Sequence, residues 1–289
     1  MRQEDFRFTL AKTDSNSINQ YAELFKLCFP SATHLNEENL KWLYHDNPAG
    51  KMIGFNAYSG NTLAAHYGCI PTDIVLHGKR NKALLSLNTA THPQYQGNGL
   101  FSTLANQTYK HAIQNNFSSV IGVANQSSTH GFVKRLGFQL VSQLDVKIGF
   151  SDIKINWEAC IKQADFYKFW DSETLNWRLQ TPKGNMHHSI NTHGDIFGSA
   201  TTGLPCLHAT NPIYLAENNQ ALASSRRPFA LKLFLGLFPK DSVSFSGYFD
   251  LPERLKPSPL NLIYKPLNTQ IQTLDPNRVI FGFQDFDAY

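Results

Sequence analysis

The stretch Thr91-His92-Pro93-Gln94-Tyr95-Gln96-Gly97-Asn98-Gly99 decides the fold because of what flanks it. Before it runs a strand-like segment, 82–92. After it comes a helix-like one, 99–115, with Leu100, Leu104, Ala105, Tyr109, Ala112 and Ile113 offering apolar contacts. Small residues at such a junction let the backbone approach an anion closely. The first N–H groups of the helix have no partner inside it and point outward at the positive end of its dipole, so a pyrophosphate satisfies them. Gln94 is expected to order the loop without adding charge. The spacing is not the dinucleotide G-x-G-x-x-G, because Phe101 and Ser102 occupy the place of a third glycine. Nor does a Lys-Ser or Lys-Thr pair mark a triphosphate loop.

Working outward, Ile18, Tyr21, Leu24, Phe25 and Cys28 share one helical face, and Asn36 reads as the N-cap of a second short helix ending at Tyr44. Three strand-like segments follow, 52–58, 62–76 and 82–92, separated by turn residues at 59–61 and 77–79. The cluster Lys79-Arg80-Asn81-Lys82 reads as a solvated turn. Downstream of the loop helix, 120–124 reads as a buried strand. Ser127 or Ser128 is expected to cap a short helix ending at Gly137. Antiparallel meander followed by strand–loop–helix–strand is α+β, or mixed α/β.

The second half begins near Phe150, giving expected domains of 1–149 and 150–289. It carries a degenerate repeat of the first: Glu38-x-Leu40-x-Trp42 is matched by Glu173-x-Leu175-x-Trp177. With one residue gapped, Pro48, Gly50 and Met52 find counterparts in Pro182, Gly184 and Met186. In both copies a helix ends and a hairpin follows, at 186–192 and 195–201 in the second. Nothing like the glycine loop recurs, so a single cofactor site is expected. Trp157, Phe166, Tyr167, Phe169 and Trp170 read as core at helical spacing.

Composition narrows the function classes. A net charge of +4 with scattered Lys and Arg lacks the basic clustering of a nucleic-acid binder. The most apolar run, 229–238, is too short to span a bilayer and contains Lys232, and the N-terminus lacks a signal-peptide core. Cys28, Cys69, Cys160 and Cys206 form no close pair and read as reduced core residues of a cytoplasmic protein. His187-His188 has no partner at metal-ligand spacing, so no metal is expected.

The wider pattern, Leu87 to Pro93, the Gln-x-x-Gly-x-Gly loop, Asn125, and Phe132-Val133-Lys134-Arg135-Leu136-Gly137-Phe138, resembles the GNAT superfamily of acyltransferases over residues 1–148. The resemblance implies two tandem GNAT-like domains, the second degenerate, with acetyl-CoA or another short acyl-CoA as donor. It implies cofactor contacts from Leu87, Thr89, Thr91, Gln94, Gln96, Gly97, Asn98, Gly99, Leu100, Phe101, Asn125, Ser128 and Phe132. Pyrophosphate would sit on the amides of Gln96 to Gly99, pantetheine on the backbone at Thr89 and Thr91, and the thioester oxygen near the Leu87–Thr89 amides. A finer similarity is to bacterial acyltransferases of surface-polysaccharide pathways, in Trp42 to Pro48, Ala65-His66-Tyr67, Thr91 to Gly99 and Asn125 to Ser128. It implies a dTDP-linked 3-amino-3,6-dideoxyhexose as acceptor, for O-antigen or capsule synthesis.

Amine acylation needs a neutral amine, a positioned thioester and a stabilised oxyanion. The candidates for the catalytic groups are His66, ranked first as base, Asn88 and His130. His92 is expected to brace the loop instead. Many GNATs place a tyrosine acid where this chain has Val133. Coenzyme A thiol resembles free cysteine in acidity, so protonation of the leaving thiolate need not dominate the barrier. Arg226-Arg227 offers cations for a nucleotide diphosphate. Alternatives are an aminoglycoside, polyamine or peptide acceptor, or a non-catalytic acyl-CoA sensor. A homodimer is a further expectation; nucleic acid and membrane are not expected partners.

Overall fold

A computed structural model of the chain describes residues 6–216, 231–251 and 258–287. The first half runs β1 (Arg7–Leu10), α1 (Ser15–Cys28), α2 (Glu37–Tyr44), β2 (Ile53–Ser59), β3 (Thr62–Leu76), β4 (Lys79–Thr91) and α3 (Leu100–Gln114). It continues through β5 (Ser119–Ala124), α4 (Gln126–His130), β6 (Gln139–Gln143) and β7 (Asp145–Gly149). The second half runs β8 (Lys154–Ile155), α5 (Trp157–Gln163), β9 (Phe166–Lys168), α6 (Ser172–Leu179), β10 (Met186–Ile190), β11 (Ile196–Thr201) and β12 (Leu207–Ile213). Then come β13 (Leu231–Leu237), β14 (Val243–Ser244), β15 (Tyr248–Asp250), β16 (Asn261–Pro266) and β17 (Val279–Gly282). The class is mixed α and β, as the sequence implies.

Strands β1 to β4 form an antiparallel meander, and β5 adds parallel to β4. Strands β10 to β12 repeat the meander, and β13 adds parallel to β12. Each set is completed from the other half. β7 pairs antiparallel with both β13 and β15, whereas β16 lies antiparallel between β5 and β6. β9 and β17 link the two sets through β3 and β13.

Period-two alternation along the central strands divides the core. Leu84 and Val120 pack with Leu104, Ala105 and Tyr109 of α3. Their neighbours Leu85 and Ile121 pack with Tyr21 and Phe25 of α1, Leu40 and Leu43 of α2, and with Leu235 and Phe281 of the second half. The sheet is thus apolar on both faces, and the second half covers the side opposite α3.

Five of the six α-helices begin under an Asp or Asn side chain that accepts an N–H of the first turn: Asp14, Asn36, Asn125, Asn156 and Asp171. The cap of α4 is therefore Asn125, not Ser127 or Ser128, because the Asn125 Oδ1 reaches the Ser128 N–H at 2.9 Å. α3 differs, since it starts at Gly99, which has no side chain to cap with.

Several other expectations are corrected. The β3–β4 turn is His77-Gly78, both with positive φ, and Lys79 to Lys82 already belong to β4. Lys79, Arg80 and Lys82 are nonetheless exposed, as a solvated segment should be, while Arg80 also pairs with Asp73 and lies over the Phe169 ring at 3.9 Å. Phe166 and Tyr167 lie on a strand rather than at helical spacing. Cys206 is exposed on a left-handed turn, not in the core, while Cys69 and Cys160 are buried. No helix among the described residues is long and apolar enough to cross a membrane.

Candidate active site

β4 and β5 pair from Ala83↔Ser119 to Ser86↔Gly122 and then part. β5 stays in the sheet because Val123 and Ala124 remain paired with Leu262 and Asn261 of β16. β4 leaves because it bulges. Tyr67 faces Thr89 and Gly68 faces Leu87, which strands Asn88 as the extra residue with φ 47°. Such a bulge bends one strand away from its neighbour. The result is a V between residues 87–91 of β4 and 123–125, and Leu87, Thr89 and Thr91 lie along one arm.

The V opens onto the loop. Its conformation is fixed by its own side chains: His92 Nδ1 accepts the Gln94 N–H at 3.2 Å, and Gln96 Nε2 donates to the Thr91 carbonyl at 3.4 Å. Asn98 Nδ2 donates to the Tyr95 carbonyl at 2.9 Å. His92 is the brace that the sequence suggested, while ordering falls to His92, Gln96 and Asn98 rather than to Gln94. Gly97 and Gly99 both hold positive φ, at 82° and 71°, where a side chain would be strained. The Gln96 amide is taken by the Pro93 carbonyl at 3.5 Å, so the run of free amides starts one residue later than expected. Among the described residues no protein acceptor meets the N–H groups of Gly97, Asn98, Gly99, Leu100 and Phe101. Successive outward amides on positive-φ backbone make an anion-binding nest.

On the far arm, Asn125 and Ser128 lie at the start of α4, and Phe132 is buried against Phe101 with ring centroids 5.3 Å apart. His130 is exposed at the end of α4. The expected cofactor residues therefore gather around one opening.

His66 does not join them as a base. It is fully buried, stacked on Tyr21 with centroids 4.0 Å apart, and burial holds its pKa down at about 3. An imidazole so reluctant to protonate cannot accept a proton from an ammonium near neutral pH. Its Nδ1 meets Asn56 Oδ1 at 2.7 Å and its Nε2 meets the Tyr44 hydroxyl at 3.3 Å. Tyr44, whose own pKa burial drives well upward, lies beside Asn88. That contact went unread in the sequence, although Tyr44 and His66 stand in the two quoted motifs.

The corresponding opening in the second half is filled. β12 and β13 pair through Ala209↔Leu233 and then separate. There the buried Asn211 side chain bridges to Leu235, donating to its carbonyl at 3.0 Å and accepting its N–H at 3.3 Å. Gln284 Nε2 adds a bond to the Asn211 carbonyl at 3.1 Å. The cavity left beside them, lined by Lys168, Trp170, Tyr214 and Asp285, is about 20 Å³, room for one water. Among the described residues no group of three His, Cys, Asp or Glu side chains is placed to hold a metal. Arg226 and Arg227 lie outside the described residues.

Residues 9–141 match the family model described as an acetyltransferase (GNAT) domain. That match covers the segment carrying the loop and the V, and together with the fold it supports acyl-CoA-dependent N-acyl transfer of the GNAT type. Among solved structures, the chain resembles a protein of Enterococcus faecalis V583 described as a probable N-acyltransferase, with TM-score 0.59 and 12% identity over 91% of this chain and 74% of that one. It also resembles a GCN5-related N-acetyltransferase from Anabaena variabilis ATCC 29413, with TM-score 0.54 and 12% identity over 89% and 72%. A third similar structure is Saccharomyces cerevisiae N-myristoyltransferase with bound myristoyl-CoA, with TM-score 0.52 and 11% identity over 95% and 83%. No curated protein matches.

Proposed function

We propose that the chain moves an acetyl or short hydroxyacyl group from acyl-CoA to the amino group of a nucleotide-linked amino sugar. One observation carries the donor half of this reading: the V between β4 and β5 opens onto the uncapped start of α3. Pyrophosphate on the Gly97–Phe101 amides would lay pantetheine along Thr91 and Thr89 and bring the thioester to the bulge. The amine nitrogen then attacks the thioester carbon, the C–S bond breaks, and the thiolate departs while the nitrogen loses its proton. Val133 offers no proton to the thiolate, so the thiol's own acidity carries that step. With His66 excluded, deprotonation falls to the exposed His130 or to water.

In this reading residues 1–149 bind the donor and 150–289, a degenerate copy, cover the opposite face toward the acceptor. The dTDP-linked 3-amino-3,6-dideoxyhexose rests on the motif resemblance, as does placement of the reaction in the cytoplasm, in O-antigen or capsule synthesis. A second acceptor class has one observation in its favour. A groove of about 390 Å³ between α1 and α2 is lined by Asp14, Glu37 and Glu38 together with Lys41 and His45, an acidic excess that suits a polyamine or aminoglycoside.

The test is to incubate the full chain with acetyl-CoA or short hydroxyacyl-CoA and each acceptor class, reading free thiol and product mass. Thiol release only with the dTDP-amino sugar is the expected result. Release only with spermidine or an aminoglycoside would transfer the acceptor reading to the acidic groove. Tight acetyl-CoA binding with no transfer to any amine would make the chain a sensor.

A further inference from the structure

The short helix α4 has little of its own to hold it in place. It buries no side chain, and the side-chain bonds of Ser127 and Ser128 close locally on Asn125. Among the described residues, one side-chain hydrogen bond ties it to another element. That bond comes from the second half of the chain: Asn261 Nδ2, on β16, donates to Thr129 Oγ1 at 2.9 Å.

The direction of this bond is fixed by the one behind it. Thr129 Oγ1 lies 2.7 Å from the Asn125 carbonyl oxygen. A carbonyl cannot donate, so the single hydroxyl proton of Thr129 is spent there, and its oxygen can only accept from Asn261. The same Asn125 carbonyl takes the Thr129 N–H at 3.0 Å. Asn125 Oδ1 meanwhile accepts the Ser128 N–H at 2.9 Å, the Ser128 hydroxyl at 2.9 Å and the Ser127 hydroxyl at 2.8 Å. With its oxygen so occupied, exposed Asn125 offers its NH₂ at the edge of the V. A chain of bonds thus runs from Asn261 through Thr129 to Asn125, each with one possible sense.

We propose that Asn261 is a positioning residue for the donor site. It pins α4 through Thr129, and so holds Asn125 and Ser128, the cofactor residues of the far arm. This rests on the acyl-CoA reading above. β16 is placed for the task, because Asn261 pairs with Ala124, the residue just before Asn125. The second half therefore completes the donor opening as well as covering the face toward the acceptor. An arm pinned before the cofactor arrives spares the cost of ordering it during binding.

The test uses the full chain, Asn261→Ala, Thr129→Val and the double variant. Acetyl-CoA affinity is measured by calorimetry and stability by urea unfolding. Asn261→Ala should weaken acetyl-CoA binding about fivefold, ~1 kcal/mol. Thr129→Val should weaken it at least as much, since it also loses the bond to Asn125. The double variant should bind like Thr129→Val alone, because Asn261 acts only through that hydroxyl. A merely structural Asn261 would lower stability and leave affinity unchanged, which overturns the positioning role. Losses of affinity that add in the double variant overturn the route through Thr129. Absence of acetyl-CoA binding by the unsubstituted chain would instead sink the acyl-CoA reading, and this inference with it. Should Asn261→Ala fold poorly, Asn261→Asp keeps the shape but offers only acceptors. It would draw the Thr129 proton away from Asn125, and the same loss of affinity is expected.

Discussion

Trp42 and Trp177 lie face to face, 4.6 Å between ring centroids, and each indole N–H donates to the backbone carbonyl of the other, at 3.2 and 3.3 Å. These are the two tryptophans of the repeated Glu-x-Leu-x-Trp segments. A reciprocal contact between equivalent residues is what a local two-fold axis produces. It supports the tandem-copy reading of residues 1–149 and 150–289. Trp42→Phe and Trp177→Phe each keep the stacked ring but remove one donor, so each should lower unfolding free energy by about 1–2 kcal/mol. Because the two bonds share one stack, the double variant should lose less than the sum of the singles. Urea unfolding of the three variants measures this.

Gly97→Glu should weaken acetyl-CoA binding by tenfold or more without a matching loss of fold, about 1.4 kcal/mol of affinity. A Cβ at Gly97 meets no atom within 4 Å, so the effect is repulsion of pyrophosphate, not a clash. Gly78→Glu is the control. Gly78 has a similar φ of 75° and equally open surroundings, but lies at the far end of β4. Its strain should cost stability alike and leave calorimetric affinity unchanged.

His66 makes a pH prediction with a definite sign. Its pKa falls from 6.5 in the unfolded chain to about 3 in the folded one. Between those values the unfolded chain binds the proton and the folded chain does not, so stability rises with pH through that window and is lost as pH falls. The slope is about 1.4 kcal/mol for each pH unit below ~6.5. Chemical unfolding of His66→Gln should show a shallower dependence between pH 6.5 and 4.5 than the unsubstituted chain. Equal slopes would mean that the imidazole is not held neutral.

Asn211→Ala should destabilise the chain by about 2–3 kcal/mol, since it leaves the buried N–H and carbonyl of Leu235 unpaired. It should not alter a stoichiometry of one acetyl-CoA per chain. A second equivalent appearing in titrations of the variant would show that the second opening had been held shut by this side chain alone.

Much of the architecture was legible from punctuation and period. Asn36 announced α2, the 3.6-residue spacing from Leu100 announced α3, and the glycines at 97 and 99 placed the loop between strand and helix. The wiring between distant segments was not legible. Nothing local in Asp145 to Gly149 says that this strand serves the far sheet, because strand pairing is settled by neighbours remote in the chain. His66 was misjudged for the same reason. An imidazole's proton affinity depends on burial and on Tyr21, Tyr44 and Asn56, none of them adjacent to it in sequence. The bulge at Asn88 has no sequence signature beyond an asparagine, a residue that tolerates positive φ.

The traded strands β7 and β16 act like two hands clasped through each other's sleeves. Severing the polypeptide near residue 150 would leave each fragment with a gap inside its own sheet and a spare ribbon whose proper seat had gone. Should one copy drift out of chemical use, it still could not be discarded, because the surviving copy borrows a strand from it. Each half thereby needs the other as a matter of carpentry, whatever either contributes to catalysis.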